Sequence, residues 1–203
     1  MDNNRALNVV LMFTGAYLLF FAIITFLRKN YEFLYYGGIV FIIFLLLVIY
    51  HKRLQLSFSN LLGLSIIQLI HMLGGNIYIH EVRLYDIWII QNFFRYDNLV
   101  HFVATFILAI VIYDMIKHYL HEKMHYNKIV LFLFIVLIVS GIGAVNEVME
   151  LGAVVWFNAA QRVGDYFNNA LDLLFNLLGA SFGAIYILNR REYRERHKEY
   201  RNE

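Results

Sequence analysis

The stretch IVLFLFIVLIVSGIGAVNEVMELGAVVW, Ile129 to Trp156, decides the class of this chain. It exceeds the roughly 18 apolar residues that mark a membrane span. Its polar interruptions, Asn146, Glu147 and Glu150, fall in its second half. Working outward, runs of the same character cover Leu7 to Leu27, Phe33 to Tyr50, Phe58 to Leu73, Leu99 to Ile116 and Ala170 to Leu188. The chain is 61% hydrophobic and 16% charged, whereas soluble domains hold about 45–50% apolar and about 25% charged residues. Backbone groups in lipid must be satisfied within each segment, and no alternating barrel pattern is present. The expected fold class is therefore an all-α polytopic bundle of about six spans. The first run is longer than the apolar core of a signal peptide, so we expect it to remain as a helix.

Orientation follows from the basic residues. Arg5, Lys52, Arg53, Lys117, Lys123, Lys128 and the six Lys and Arg residues from Arg190 to Arg201 fall on one side of a six-span bundle. Only Arg28, Lys29, Arg83, Arg95 and Arg162 fall on the other. Positive charge marks the cytoplasm, so both termini are expected inside and the protein in the inner, cytoplasmic membrane as a multi-pass chain. The two tryptophans, Trp88 and Trp156, then lie at the outer interface. Residues Asn76 to Phe94 mix apolar and polar types and read as an interfacial or re-entrant cap on the outer face. We expect one transmembrane domain over residues 1–189 and a charged cytoplasmic tail over 190–203 that anchors the last span against anionic lipid. Gly179 and Gly183, with Ala180 and Ala184 beside them, form a small-residue face for close helix packing.

With this topology, ionisable and amide side chains from three spans arrive at one outer-half layer. Asp97 and His101 are four apart at the start of span four, and Glu147 and Glu150 are three apart near the exit of span five. Glu147 precedes Trp156 by nine residues, about 13 Å of helix. Asp172 and Asn176 are four apart as span six turns inward, with Asn146, Arg95 and the loop residues Arg162 and Asp165 nearby in sequence. His71, at the outer end of span three, is a further candidate. Ionisable groups at membrane depth mark a functional site by default. The competing reading makes Asp97 a helix cap, Asp97 and Asp165 headgroup-level acids, and Arg95 and Arg162 their structural partners. Glu147, Glu150 and Asp172 resist it, because their spans hold no Lys or Arg at that depth.

Carboxylates with imidazole and no sulfur suit Zn²⁺, Fe²⁺ or Mn²⁺, and carboxylates alone suit Mg²⁺ or Ca²⁺. The chain has no cysteine, so thiolate sites are excluded. Neither H-E-x-x-H nor the Glu-x-x-His repeat of di-iron bundles is present. Without a metal, the same carboxylates make a proton-binding or acid–base site. His118, His121 and His125 share helix-like spacing, but we read them as a solvated inner loop. A net charge of +2 gives no support for nucleic-acid binding.

Arg95-Tyr-Asp-Asn-Leu-Val-His101-Phe, Glu147-Val-Met-Glu150, and Gly164-Asp165 leading to Asp172 and Leu-Gly-Ala180 together resemble the YjdF-like family of bacterial and archaeal inner-membrane proteins. Asp172-Leu-Leu-Phe-Asn176-Leu-Leu-Gly179, with Arg162 upstream, is also similar to the VanZ-like family, some of whose members are linked to teicoplanin resistance. The resemblance implies a compact helix bundle and a polar cluster of Asp97, His101, Glu147, Glu150, Asp165 and Asp172. It carries no established reaction. The chain departs from the family pattern at Asn168, where a carboxylate is common.

Three functions fit these residues. The leading one is a site open to the outer leaflet that holds a divalent metal (Zn, Mn, Fe or Mg) and acts on, or binds, a lipid or lipid-linked envelope precursor. In it Glu147 and Asp172 take the catalytic roles of a hydrolase or transferase. The second is a proton-coupled transporter, against which no polar row crosses the inner half of spans four to six. The third is a non-catalytic scaffold whose acids fix helix packing.

Overall fold

The computed structural model describes residues 3–54, 56–121, 123–124, 127–158 and 164–202. Six helices carry the fold: α1 (Asn3–Leu27), α2 (Tyr31–Tyr50), α3 (Phe58–Asn76), α4 (Tyr96–Ile116), α5 (Lys128–Phe157) and α6 (Tyr166–Asn202). All six are long and apolar enough to cross a membrane. The helix boundaries extend past the apolar runs at the outer ends. α4 begins at Tyr96 rather than Leu99, because the Asn98 side chain accepts the Arg95 N–H at 2.9 Å and caps the first turn. α6 begins at Tyr166 rather than Ala170, because Asp165 Oδ1 accepts the Asn168 N–H at 3.0 Å.

Between α3 and α4 the expected cap consists of two small antiparallel hairpins. The first pairs β1 (Tyr78–Ile79) with β2 (Val82–Arg83), and the second pairs β3 (Trp88–Ile90) with β4 (Phe94–Arg95) across a bulge. The first turn, His80-Glu81, has positive φ at both positions (49° and 67°), the twist that a two-residue hairpin needs. A 3-10 turn, Leu84–Asp86, links the hairpins. Arg83 pins this cap to the bundle. It donates to both oxygens of Asp86 at 2.9 and 3.0 Å and lies 3.8 Å from the buried Glu32 of α2. Arg95 lies 4.1 Å from the centre of the Trp88 ring, a cation–π contact.

α4 packs most extensively against α6, and also meets α3 and α5. Small residues make this possible. A Cβ on Gly179 would collide with the Phe102 carbonyl and the Thr105 hydroxyl, and one on Gly183 would sit 2.6 Å from Ala109 Cβ. Ala180 and Ala184, fully buried, face a dry core of Leu131, Ile135 and Val139 from α5. On the other side, α1 and α3 are joined at depth by Thr14 and Ser65, whose hydroxyls are 2.7 Å apart, and by the Tyr17 hydroxyl donating to the Ser65 carbonyl at 2.8 Å.

Gly179→Val is expected to lower the unfolding free energy of the purified protein by about 1–3 kcal/mol through overpacking. Gly141→Ala, whose Cβ meets nothing within 4 Å, does not lower it, since alanine is the better helix former. Thermal melts of both in detergent check this, and wild-type behaviour of Gly179→Val would mean that α4 and α6 do not approach so closely.

Candidate functional site: a carboxylate–imidazole cluster

The tight α4–α6 seam sets two polar pairs face to face. Asn98 Nδ2 donates to Asp172 Oδ1 at 2.7 Å, and one turn deeper His101 Nδ1 lies 3.2 Å from Asn176 Oδ1. α5 closes the third side, because Gly143 makes room for Asn176. A Cβ there would be 2.8 Å from the Asn176 amide. Glu147, one turn along from Gly143, receives the Asn176 Nδ2 at 3.4 Å. This amide therefore joins all three helices.

His101 stands at the centre, buried, with a carboxylate on every side. Its Nε2 is 3.4 Å from Asp97 Oδ1, 3.8 Å from Asp172 Oδ1 and 3.9 Å from Glu150 Oε1, and its Nδ1 is 3.7 Å from Glu147 Oε1. Asp172 is fully buried, while Asp97 and Glu150 keep 18% and 17% of their side-chain surface exposed. The amide partners assign the imidazole's protons. Asn176 donates through Nδ2 to Glu147, so its Oδ1 faces His101 as an acceptor and Nδ1 carries hydrogen. Nε2 is left to face Asp97, Glu150 and Asp172. It serves there either as a second N–H or as a lone pair for a cation.

Each carboxylate is held by a neighbouring amide or by the imidazole. Asp172 Oδ2 accepts from Asn168 Nδ2 at 2.8 Å, and Asn168 Oδ1 accepts from Arg95 Nη1 at 2.8 Å, so one amide separates the guanidinium from Asp172. Glu150 Oε1 accepts from Asn146 Nδ2 at 2.8 Å. Among the described residues, Glu147 Oε2 is buried without a hydrogen-bond partner. Four carboxylates around one imidazole carry more negative charge than His101 neutralises, and burying that excess is costly unless a cation or protons accompany it. The donors suit a cation. Asp97, His101 and Asp172 form one group, and His101, Glu147 and Glu150 a second, in each of which the ligand atoms lie within 4.8 Å of one another. The orphaned Glu147 Oε2 is a further oxygen available to the second group.

Of the candidate residues read from the sequence, Asp97, His101, Glu147, Glu150 and Asp172 are brought together, with Asn146, Asn176 and Arg95 as their supports. Asp165 is exposed at the start of α6 and bonds the helix backbone, away from the cluster. Arg162, like His125 of the inner loop, lies outside the described residues. His71 stands beside the cluster, with its Nδ1 2.5 Å from the Tyr85 hydroxyl and its ring packed on Phe33 and Tyr36. It remains within electrostatic range of Asp97 and His101. Asn98 and Tyr85 were not among the sequence candidates, and Asn168 stood there only as a departure from the family pattern. Burial pushes the Tyr85 phenol well above its ordinary pKa, so it stays a neutral hydrogen-bonding group.

The family described as "Predicted membrane protein (DUF2238)" matches residues 7–192. The chain belongs to the DUF2238 family. That match covers all six spans and every residue of the cluster, and it accords with the YjdF-like resemblance. No curated protein and no solved structure matches the chain.

Asn168→Asp tests the charge state of the DUF2238 cluster. It replaces the donor on Asp172 with a second carboxylate, so in chelator at neutral pH it is expected to cost about 1–3 kcal/mol. A divalent cation bound at the cluster, with Mn²⁺ as the probe, would be expected to restore the loss. Thermal unfolding with and without the metal checks this, and full stability in chelator would mean that Asp172 is not an ionised acceptor at this contact.

Proposed function

We propose that the cluster is a divalent-metal site in the outer half of the membrane and that it acts on the headgroup of a lipid or lipid-linked envelope component. The observation that carries this is the set of four carboxylates within 4 Å of one buried imidazole, with an orphaned oxygen on Glu147. Asp97, His101 and Asp172, or His101, Glu147 and Glu150, would hold the metal. A metal bound there supplies Lewis acidity and lowers the pKa of water. The chain's own residues do the rest. Asn176 holds His101 in one tautomer, Asn98 and Asn168 aim Asp172, and whichever of Glu147 and Asp172 is not a ligand serves as the base. Asp97 and Glu150, the more exposed acids, meet the substrate side. The distribution of basic residues supports an inner-membrane chain with this face outward. The resemblance of Asp172 to Gly179 to the VanZ-like family supports an envelope-lipid ligand in the same sense.

A proton-coupled carrier would use the same acids, but the inner half of α4–α6 argues against it. There Ala109, Leu131, Ile135, Val139, Ala180 and Ala184 form a buried apolar layer, which supports access from the opposite, outer side. A pure scaffold role would make the acids stabilising, whereas catalytic residues are often removed with little loss or even a gain of stability.

Elemental mass spectrometry on the detergent-purified protein is expected to find near-stoichiometric divalent metal in the wild type and its loss in Glu147→Ala, Asp172→Ala, with folding checked by melting. Asn98→Leu, which removes the donor on Asp172 together with the cap of α4, is expected to weaken metal binding about 10–100-fold, with melting reporting the loss of the cap. A metal-free wild type, together with unchanged membrane lipids on Glu147→Ala, would end this reading.

A further inference from the structure

Between α1 and α2, in the outer half of the bundle, lies an apolar groove of about 440 Å³. That is within the roughly 300–1,000 Å³ of small-ligand sites. Gly15 and Ala22 of α1 and Gly37 and Gly38 of α2 line it, and the buried Phe33 and Met72 form its floor. Glycine keeps it open. A Cβ built on Gly15 or Gly38 meets nothing within 4 Å.

Its length says what fits. The lining runs along α1 from Gly15 to Thr25, about 15 Å of helix, which is one leaflet's share of a hydrocarbon core roughly 30 Å thick. Two cations follow its last α1 lining residue, Thr25, by three and four residues. The α1–α2 turn places Arg28 and Lys29, both exposed, at the headgroup end. Arg28 Nη1 donates to the Asn76 carbonyl at 2.6 Å, which fixes that guanidinium, and Lys29 sits in the turn with φ 56°. Two cations above an apolar slot of leaflet depth are complementary to a phosphate with an acyl chain beneath it. On its floor the Phe33 ring packs 5.2 Å from His71 and 5.8 Å from Tyr85, residues that stand between the groove and the cluster.

We propose that this groove holds one acyl chain of an anionic, phosphate-bearing membrane lipid, with the phosphate at Arg28 and Lys29. That the lipid is also the substrate of the cluster rests on the function proposed above, whereas occupancy of the groove does not.

The full-length protein is titrated with phosphatidylglycerol and with phosphatidylcholine of the same chains, and bound lipid is counted by native mass spectrometry. Phosphatidylglycerol is expected to bind more tightly, by about fivefold for each cation. Gly15→Leu, Gly38→Leu fills the slot and is expected to abolish binding of both lipids, with melting temperature and metal content unchanged, since leucine is also the better helix former. Lys29→Asn, which tolerates the left-handed turn, is expected to lose about fivefold for phosphatidylglycerol alone. Wild-type lipid binding by the leucine variant overturns the proposal. So does a wild-type dimer that the leucine variant splits, because a second copy would then be the occupant. Lipid bound beside a metal-free cluster keeps the groove and ends the metal reading, and metal without lipid does the reverse.

Discussion

The close approach of α4 and α6 is the constraint on which the rest of the molecule depends. Gly179 and Gly183 let the α6 backbone reach the Phe102 and Phe106 carbonyls of α4. At that separation two short side chains suffice to bridge the helices, and Asn98 reaches Asp172 while Asn176 reaches His101. A larger residue at the seam would part these pairs by more than a hydrogen bond tolerates. The geometry of the cluster thus depends on packing one to three turns further along α6. The same small residues have a second consequence, since Ala180 and Ala184 seal the inner half against α5.

Amides are the connecting material of the site. Asn98, Asn146, Asn168 and Asn176 each give an N–H to a carboxylate, and three of them also present an oxygen to a donor on the far side. A carboxylate only accepts, so each contact fixes the amide's direction, and the fixed amides in turn direct Arg95 and His101. Such a frame holds acids close together without placing a permanent cation among them. Charge compensation can then come from what the site binds, which is the condition for a binding site as opposed to a structural ion pair.

Much of this was legible in the sequence, for definite reasons. Spans declare themselves by apolar length, and their alternating direction is enough to bring Asp97, His101, Glu147, Glu150 and Asp172 to one level. The span ends were read three or four residues short at α4 and α6, because capping by Asn98 and Asp165 carries the helices beyond the apolar runs. The hairpins of the cap were not legible. Their strands are two or three residues long, and His80-Glu81 lacks the Asn-Gly chemistry that usually announces such a turn. Asn98 escaped notice because a neutral amide at a span's end looks like any interfacial residue. Its position three residues after Arg95 was the available signal. Asn168 stood out only as a departure from the family pattern, and the structure gives it a task of its own between Arg95 and Asp172.

Arg95 belongs at once to the last strand of the cap, to the first turn of α4 and, through Asn168, to the support of Asp172. Its guanidinium is also stacked on Trp88 of the facing strand. The cap and the cluster thus share one side chain, and a single amide, Asn168, separates it from the most buried acid. A substitution in the second hairpin that moved the Arg95 guanidinium would therefore be expected to disturb the support of Asp172 as well.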